Sequence, residues 1–391
     1  MRGVWLVLLV VLLVGCKGEP SSHNHGYVDL NLKDMPNVDI LATNGVPDSC
    51  EFIPLETNDK CLIEWIDEIV VTDSIIVLHG PFAMQLHIFD RQGAYINTIH
   101  AGRGPEEPST LRVWYVDTVK ERISNLDLYT GSWMHYTYRG EHIETIPMSD
   151  SLYKELKPEC IADIKPIDSD HFLAVYSDYP DIEYKYYVLS RKDMSVVDSF
   201  VKTRHFEGLE FQASTLSVVG VDEVLTFANK SDTIYALNDK NEILPKYVVH
   251  GDRKPITPEV YDKFLGMAAS DRVLGLFEQG YSMGIGIMMA TRNYVCFYIN
   301  GLGQDGYRVI GNTSTNSFTK VLYNNEHEVR PYYTGEFRGA TDDGFIGFIS
   351  PMNLIKDKDS PFVQNHPQLR EISKTLKEDD NPIIGIYYVK D

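Results

Sequence analysis

A repeat of about 48 residues constrains this 391-residue chain more than any other feature. Short runs rich in Val, Ile, Tyr and Phe alternate with Asp, Asn, Gly and Lys turns, the pattern of strands joined by hairpins. Tight turns align at Asp73, Lys120, Asp168, Asp222, Thr291 and Asp342, each followed by an apolar run. A second register aligns Phe89, Tyr136, Tyr187, Tyr235, Tyr307 and Tyr387, at spacings of 47, 51, 48, 72 and 80. Subtracting a helical insert near 257–281 (about 25 residues) and another near 351–382 (about 32) brings the last two spacings to about 47 and 48. A single twisted four-stranded sheet cannot bury both faces unless neighbours pack against it. The repeat therefore predicts an all-β chain forming a six-bladed β-propeller with two short helical inserts.

The end of the chain predicts how the ring closes. The first five units each carry an outer hairpin after the third strand, as in Phe89-Asp90-Arg91-Gln92-Gly93-Ala94, whereas the chain stops soon after Ile383–Val389. An open sheet edge invites aggregation, so the segment Cys50–Leu55 is expected to supply the missing outer strand of the last blade. In the first insert, Thr257 suits a helix cap, Pro258 the first helical position, and Val260, Phe264, Leu265 and Ala268 a packing stripe. In the second, Leu369, Ile372 and Leu376 form a narrower stripe.

The N-terminus predicts export. Val4–Val14 is an apolar run too short for the roughly 30 Å hydrocarbon core and suits a secretory leader. It ends Leu13-Val14-Gly15-Cys16, which resembles the lipobox of bacterial lipoproteins and implies lipid attachment at Cys16 after cleavage. Acyl chains contribute about 0.8 kcal/mol per buried CH₂, so two or three of them would anchor the chain stably. The expected organisation is a signal peptide at 1–15, a tether at 16–47 and one propeller domain at 48–391, with the lipid expected to hold the protein at the bacterial outer membrane. In an oxidising compartment a Cys50–Cys61 disulfide is chemically allowed; the alternative is that Cys50, Cys160 and Cys296 are small buried apolar residues. With 36 basic against 56 acidic residues the net charge is −20, which repels phosphate backbones and argues against nucleic acid as a partner.

Three pieces of sequence carry a family resemblance: Ile53-Pro-Leu-Glu-Thr57, Ile88-Phe-Asp-Arg-Gln-Gly93 followed by Gly102-Arg-Gly-Pro-Glu-Glu107, and Leu376-Lys-Glu-Asp-Asp-Asn-Pro382. With them the chain resembles a family of exported six-bladed β-propeller lipoproteins of unknown function, distantly similar to NHL and TolB-like propellers. The family pattern usually has Gly where Glu106 stands. The resemblance implies architecture and export, and no catalytic residues.

Gly301-Leu-Gly-Gln-Asp-Gly306 fits a dinucleotide fingerprint, but a strand-like Tyr307-Arg-Val-Ile follows where a helix is required, so it reads as a hairpin turn. Residues on or entering the innermost strands converge on the axial funnel, and Asp67, Arg112, Asp163, Gln212 and Arg338 are the candidates there. Two arginines among so few acids suit an anionic or sugar-like ligand better than a calcium site. Trp114-Tyr115, Trp133–Tyr138, Tyr179 and Tyr332-Tyr333 are aromatic clusters suited to packing between blades or to stacking a ligand. The resulting expectation is a monomeric binding or scaffolding module for a glycan, peptide or protein partner, held to a membrane by its lipid, with no cofactor or metal. The alternative is a hydrolase or lyase acting on a saccharide or lactone at the funnel.

Overall fold

The computed structural model describes residues 26–38, 49–80, 84–177, 179, 181–203, 216–219, 223–227, 231–238, 240–299, 307–322 and 337–389. Three N-terminal strands, β1 (Val28–Asn31), β2 (Asn37–Val38) and β3 (Ser49–Pro54), precede the first blade. Blade one is β4 (Glu68–Val71), β5 (Ile75–His79), β6 (Gln85–Asp90) and β7 (Tyr95–His100). Blade two is β8 (Val113–Asp117), β9 (Arg122–Asp127), β10 (Ser132–Thr137) and β11 (His142–Pro147). A short helix, α1 (Asp150–Leu156), leads to blade three, comprising β12 (Ile161–Pro166), β13 (His171–Tyr176), β14 (Tyr184–Ser190) and β15 (Val196–Lys202). Blade four is β16 (Leu216–Val219), β17 (Glu223–Phe227), β18 (Thr233–Leu237) and β19 (Ile243–His250). The first insert follows as β20 (Lys254–Pro255), α2 (Pro258–Asp262), α3 (Ala269–Glu278) and β21 (Tyr281–Ser282). Blade five is β22 (Ile285–Ala290), β23 (Tyr294–Ile299), β24 (Tyr307–Asn312) and β25 (Ser317–Leu322). Blade six begins with β26 (Gly339–Ala340) and β27 (Gly344–Ile349). It then detours through α4 (Pro351–Lys356), α5 (Pro361–Asn365) and α6 (Pro367–Thr375) before β28 (Ile383–Tyr388).

The four strands of blades one to five pair antiparallel in chain order, blade six takes its outer strand from β3, and the first strands touch in turn from blade two through blade six and on to blade one. The aromatic register lands on the third strand of every blade. Six apolar clusters fill the interfaces between neighbouring blades. Between blades one and two, for example, Ile75, Val77 and Ile88 meet Trp114, Ile123 and Tyr136. Because each sheet is covered on both faces, β5 is buried along its whole length instead of alternating. The structure is the six-bladed propeller that the repeat predicts.

The ring closes as expected: β3 pairs antiparallel with β28, with Ile53 opposite Ile384 and Cys50 opposite Tyr387. Of the sequence pieces that carry the family resemblance, 53–57, 88–93 and 376–382 meet at this seam. Arg91 makes a two-pronged ion pair with Glu51, at 3.0 and 2.9 Å, and Tyr388 donates its hydroxyl to the same carboxylate at 2.9 Å. Glu56 accepts the backbone N–H of Tyr95 at 2.8 Å, and its own N–H reaches the Gly93 carbonyl at 2.8 Å. Gly93 has φ +88°, and a Cβ there would lie 2.2 Å from the Pro54 carbonyl oxygen, so the approach requires glycine. Buried Asn381 donates to the carbonyls of Glu56 and Cys61, both at 2.7 Å, and accepts from the Ile63 N–H at 2.9 Å. Glu106 is exposed, and its backbone carbonyl accepts from the Tyr136 hydroxyl at 3.0 Å.

Four expectations need correction. First, the 16–47 segment is not wholly a tether: β1 lies parallel to β19 and β2 parallel to β25, adding a fifth strand to blades four and five. Val28-Asp29-Leu30-Asn31-Leu32 alternates, and Leu30 and Leu32 are buried in the core between those blades. Second, Cys50 and Cys61 are free thiols. Cys50 packs against the core between blades five and six and Cys61 lies in the core between blades six and one, so the closing sheet stands between them. Cys160 and Cys296 are buried apolar residues, as the alternative had it. Third, the first insert is two helices. Thr257 caps α2 and Phe264 is buried, but Ala268 is exposed and caps α3, while buried Arg272 bonds the Tyr261 hydroxyl at 2.6 Å and pins the break. Fourth, the second insert holds three helices; Leu369 is buried and Ile372 and Leu376 pack at its margin.

Replacing Asn381 with Ala removes three buried hydrogen bonds, and at about 1 kcal/mol net for each, unfolding in urea should show a loss of about 3 kcal/mol. A loss below about 1 kcal/mol would contradict its role in the seam. Replacing both Leu30 and Leu32 with Asn should cost about 1.5–3 kcal/mol per residue, whereas a solvated tether would show no change in melting temperature.

Candidate functional site

The loops entering the innermost strands form the mouth of the axial funnel, and three sequence candidates stand there or just below. Asp67, exposed ahead of β4, accepts the indole N–H of Trp65 at 2.8 Å. The Arg338 guanidinium carbon, from the loop entering β26, lies 6.0 Å from the Trp65 ring centroid. The Arg338 backbone joins blades six and one: its carbonyl accepts from Ile69 N–H at 2.8 Å. The next residue, Gly339, is held so close that a Cβ would sit 2.0 Å from the Ile69 carbonyl oxygen. Trp65 itself is 55% exposed, so the rim carries a solvent-facing indole braced by a carboxylate and flanked by a guanidinium.

Below these loops, buried charges join the first strands of blades one, two and three. Asp163 is 5% exposed and accepts the Ile164 N–H at 2.8 Å. Lys165 reaches across from blade three to blade one, 3.1 Å from Glu68 Oε1 and 3.7 Å from Asp163 Oδ1, and donates to the Trp114 carbonyl at 3.0 Å. Burial works against its charge, but Asp163 and Glu68 outweigh it and hold the ammonium pKa above the ordinary value. Lys165 is therefore a cation, not a free amine nucleophile, and it neutralises carboxylates that would otherwise be free for acid and base work. His79 on β5 is 8% exposed beside this cluster, its ring 6.0 Å from that of Trp114, and burial pushes its pKa down to about 4.

The structure therefore brings Asp67 and Arg338 together at the rim and sets Asp163 beneath them. Arg112 is half-buried, with its N–H on the Thr110 hydroxyl at 3.3 Å. Gln212 and Cys16 lie outside the described residues, as do Tyr332, Tyr333 and the Gly301–Gly306 turn. Trp65, Glu68, His79 and Lys165 were missed. Lys165 left a signal, a lone cation inside the apolar run Ile161–Pro166; Glu68 and Trp65 left none, since their positions depend on a strand from another blade. The aromatic clusters mostly pack between blades: Trp133 stacks on Phe172 at 5.4 Å and on His135 at 6.2 Å, and Trp114 is fully buried.

Burial also pushes the pKa of His87 and His135 down to about 4. Between pH 6.5 and 4 the unfolded chain binds protons at these histidines that the folded chain refuses. Their contribution to stability is thus full above about pH 6.5 and falls as pH drops towards 4, with a slope of up to about 1.4 kcal/mol per pH unit for each residue. Melting temperature followed from pH 7 to pH 4 should fall less steeply in His79→Asn than in the parent; equal slopes would contradict the neutral, buried state of His79.

No curated protein matches the chain. The crystal structure of a protein from Bacteroides fragilis NCTC 9343, named as exported, superposes with a TM-score of 0.72 at 17% identity, covering 93% of this chain and 100% of that one. A member of the DUF4221 family from Bacteroides vulgatus ATCC 8482 covers 89% of this chain and 99% of its own at 10% identity, with a TM-score of 0.49. Residues 28–388 match the model of a domain of unknown function, DUF4934. The match runs from the first strand of the N-terminal strap to the last strand of blade six, and the chain belongs to the DUF4934 family.

Proposed function

We propose that this protein is an exported, lipid-anchored binding module that takes a glycan, peptide or protein partner at the mouth of its axial funnel. The observation that carries this reading is the exposed indole of Trp65, fixed by Asp67 and flanked by Arg338, above the Lys165 ion-pair cluster. A rigid aromatic surface beside a guanidinium suits a ring or carboxylate, and its low conformational freedom reduces the entropy lost on binding. The hydrolase or lyase reading has less support. The carboxylates that could serve as acid and base below the rim, Glu68 and Asp163, are both committed to Lys165. Anchoring rests on the Leu13-Val14-Gly15-Cys16 lipobox, with the outer membrane as the proposed location, and the net charge of −20 disfavours a nucleic-acid partner.

Glycan-array and thermal-shift screening should find a ligand that raises the melting temperature of the parent. Trp65→Ala and Arg338→Ala should each weaken that ligand at least tenfold, with Arg112→Ala as a comparison further from the indole. A ligand whose affinity is indifferent to Trp65 and Arg338 would overturn the assignment to the mouth. In cells, Cys16→Ala should release the protein from the membrane fraction.

A further inference from the structure

A second recess lies away from the axis, at the outer part of the interface between blades two and three, with a volume of about 790 Å³. That is within the range that holds small ligands. Its position follows from strand pairing. Tyr115, Ser124, His135 and Glu144 lie in one cross-strand row of blade two, and Leu126, Trp133 and Ile146 in the next, so all point from the same face toward blade three. The turns before β13 and between β14 and β15 form the opposite wall.

The floor is rigid. Trp133 is clasped between His135 and Phe172, nearly parallel to both, and Tyr115 meets Trp133 and Phe172 edge-on. The Ser124 hydroxyl, fully buried and 2.9 Å from His135 Nδ1, is a structural bond in this floor and offers no accessible nucleophile. The recess is lined by Ile146, Met148 and Met194 as apolar groups and by the hydroxyl-bearing Ser149, Ser169 and Ser190.

Its charges are unusual for so acidic a chain. Lys120, Arg122, Arg191 and Lys192 line it, against Glu144, Asp170 and Asp193. The acids at the turns are used locally: Asp193 accepts from Ser195 and Asp170 from Ser169. Arg191 is fixed by Asp117 at 3.2 Å and by the Asp168 carbonyl at 2.8 Å, with its guanidinium 5.1 Å from the Phe172 ring centroid. Arg122 is held loosely, 3.6 Å from Glu144, and its Nε is buried with no hydrogen-bond partner among the described residues. The recess lies against this guanidinium, whose terminal N–H groups suit a ligand carboxylate or sulfate.

We propose that this recess binds an acidic saccharide, with the acid group at Arg122, Lys120 and Lys192 and the sugar body between the apolar wall and the serine hydroxyls. Cations select the acid; alternating apolar and hydroxyl-bearing surface matches a pyranose, which presents C–H faces and hydroxyl edges together. The site is independent of the funnel mouth.

The test is calorimetric titration of the full protein with di- and trisaccharides of galacturonate, glucuronate and mannuronate, with their methyl esters and with inorganic sulfate. At least one acid should bind, and its ester at least tenfold more weakly. Arg122→Gln should weaken the acid at least tenfold, and the exposed pair Lys120→Gln/Lys192→Gln should do so without altering the melting temperature. Trp65→Ala should leave the affinity unchanged. The proposal is overturned if no acid in the panel binds at millimolar concentration, if acid and ester bind alike, or if sulfate alone binds as tightly as the saccharide. Binding lost in Trp65→Ala but kept in Arg122→Gln would also overturn it and would move the ligand to the funnel mouth.

Discussion

Pairing between β3 and β28 is the interaction on which everything else depends. Five blades are made from consecutive strands, but the sixth borrows its outer strand from the other end of the chain. Without that strand the last sheet keeps an open edge, and the cores on both sides of blade six lose Phe52 and Ile53. The seam is held by specific polar contacts as well as by burial. Glu51 takes Arg91 and Tyr388, Glu56 takes the Tyr95 backbone, and Asn381 satisfies groups from the strand and loop before blade one. Buried polar networks of this kind set register and geometry even where their net contribution is small, because a misaligned closure would leave each group unpaired.

Closure also builds the candidate funnel site. Arg338 faces Trp65 because the blade-six backbone docks on Ile69 of blade one, an approach that needs Gly339. Lys165 meets Glu68 because blades one and three converge on the same axis. Taking these charges out of water costs about as much as their attraction returns, so the cluster is better understood as a link between blades than as a source of stability. The rim and the recess between blades two and three are the surfaces proposed for recognition.

The N-terminal strap shows how local sequence and tertiary context divide the work. Val28–Leu32 has the alternation of a strand, but over only five residues, too short to stand out between polar turns. What makes it a strand is the exposed edge of β19 and the waiting core between blades four and five. The first insert is a similar case. Its apolar spacing suits one helix, yet Arg272 finds the Tyr261 hydroxyl and the carbonyls of Leu265 and Met267, which stabilises a break.

The sequence by itself determined the number of blades, the strand order within them and the means of closure, because period-two burial, turn residues and repeat length are local properties carried by every unit. It also singled out Asp67, Asp163 and Arg338, which lie on or just before the first strands of blades one, three and six. Only the tertiary structure decided which of these meet, that Trp65 stands exposed beside them, that Lys165 spans two blades, and that Cys50 and Cys61 face different cores. Those outcomes depend on side chains from different blades sharing a few ångströms. No periodicity within one unit encodes that distance.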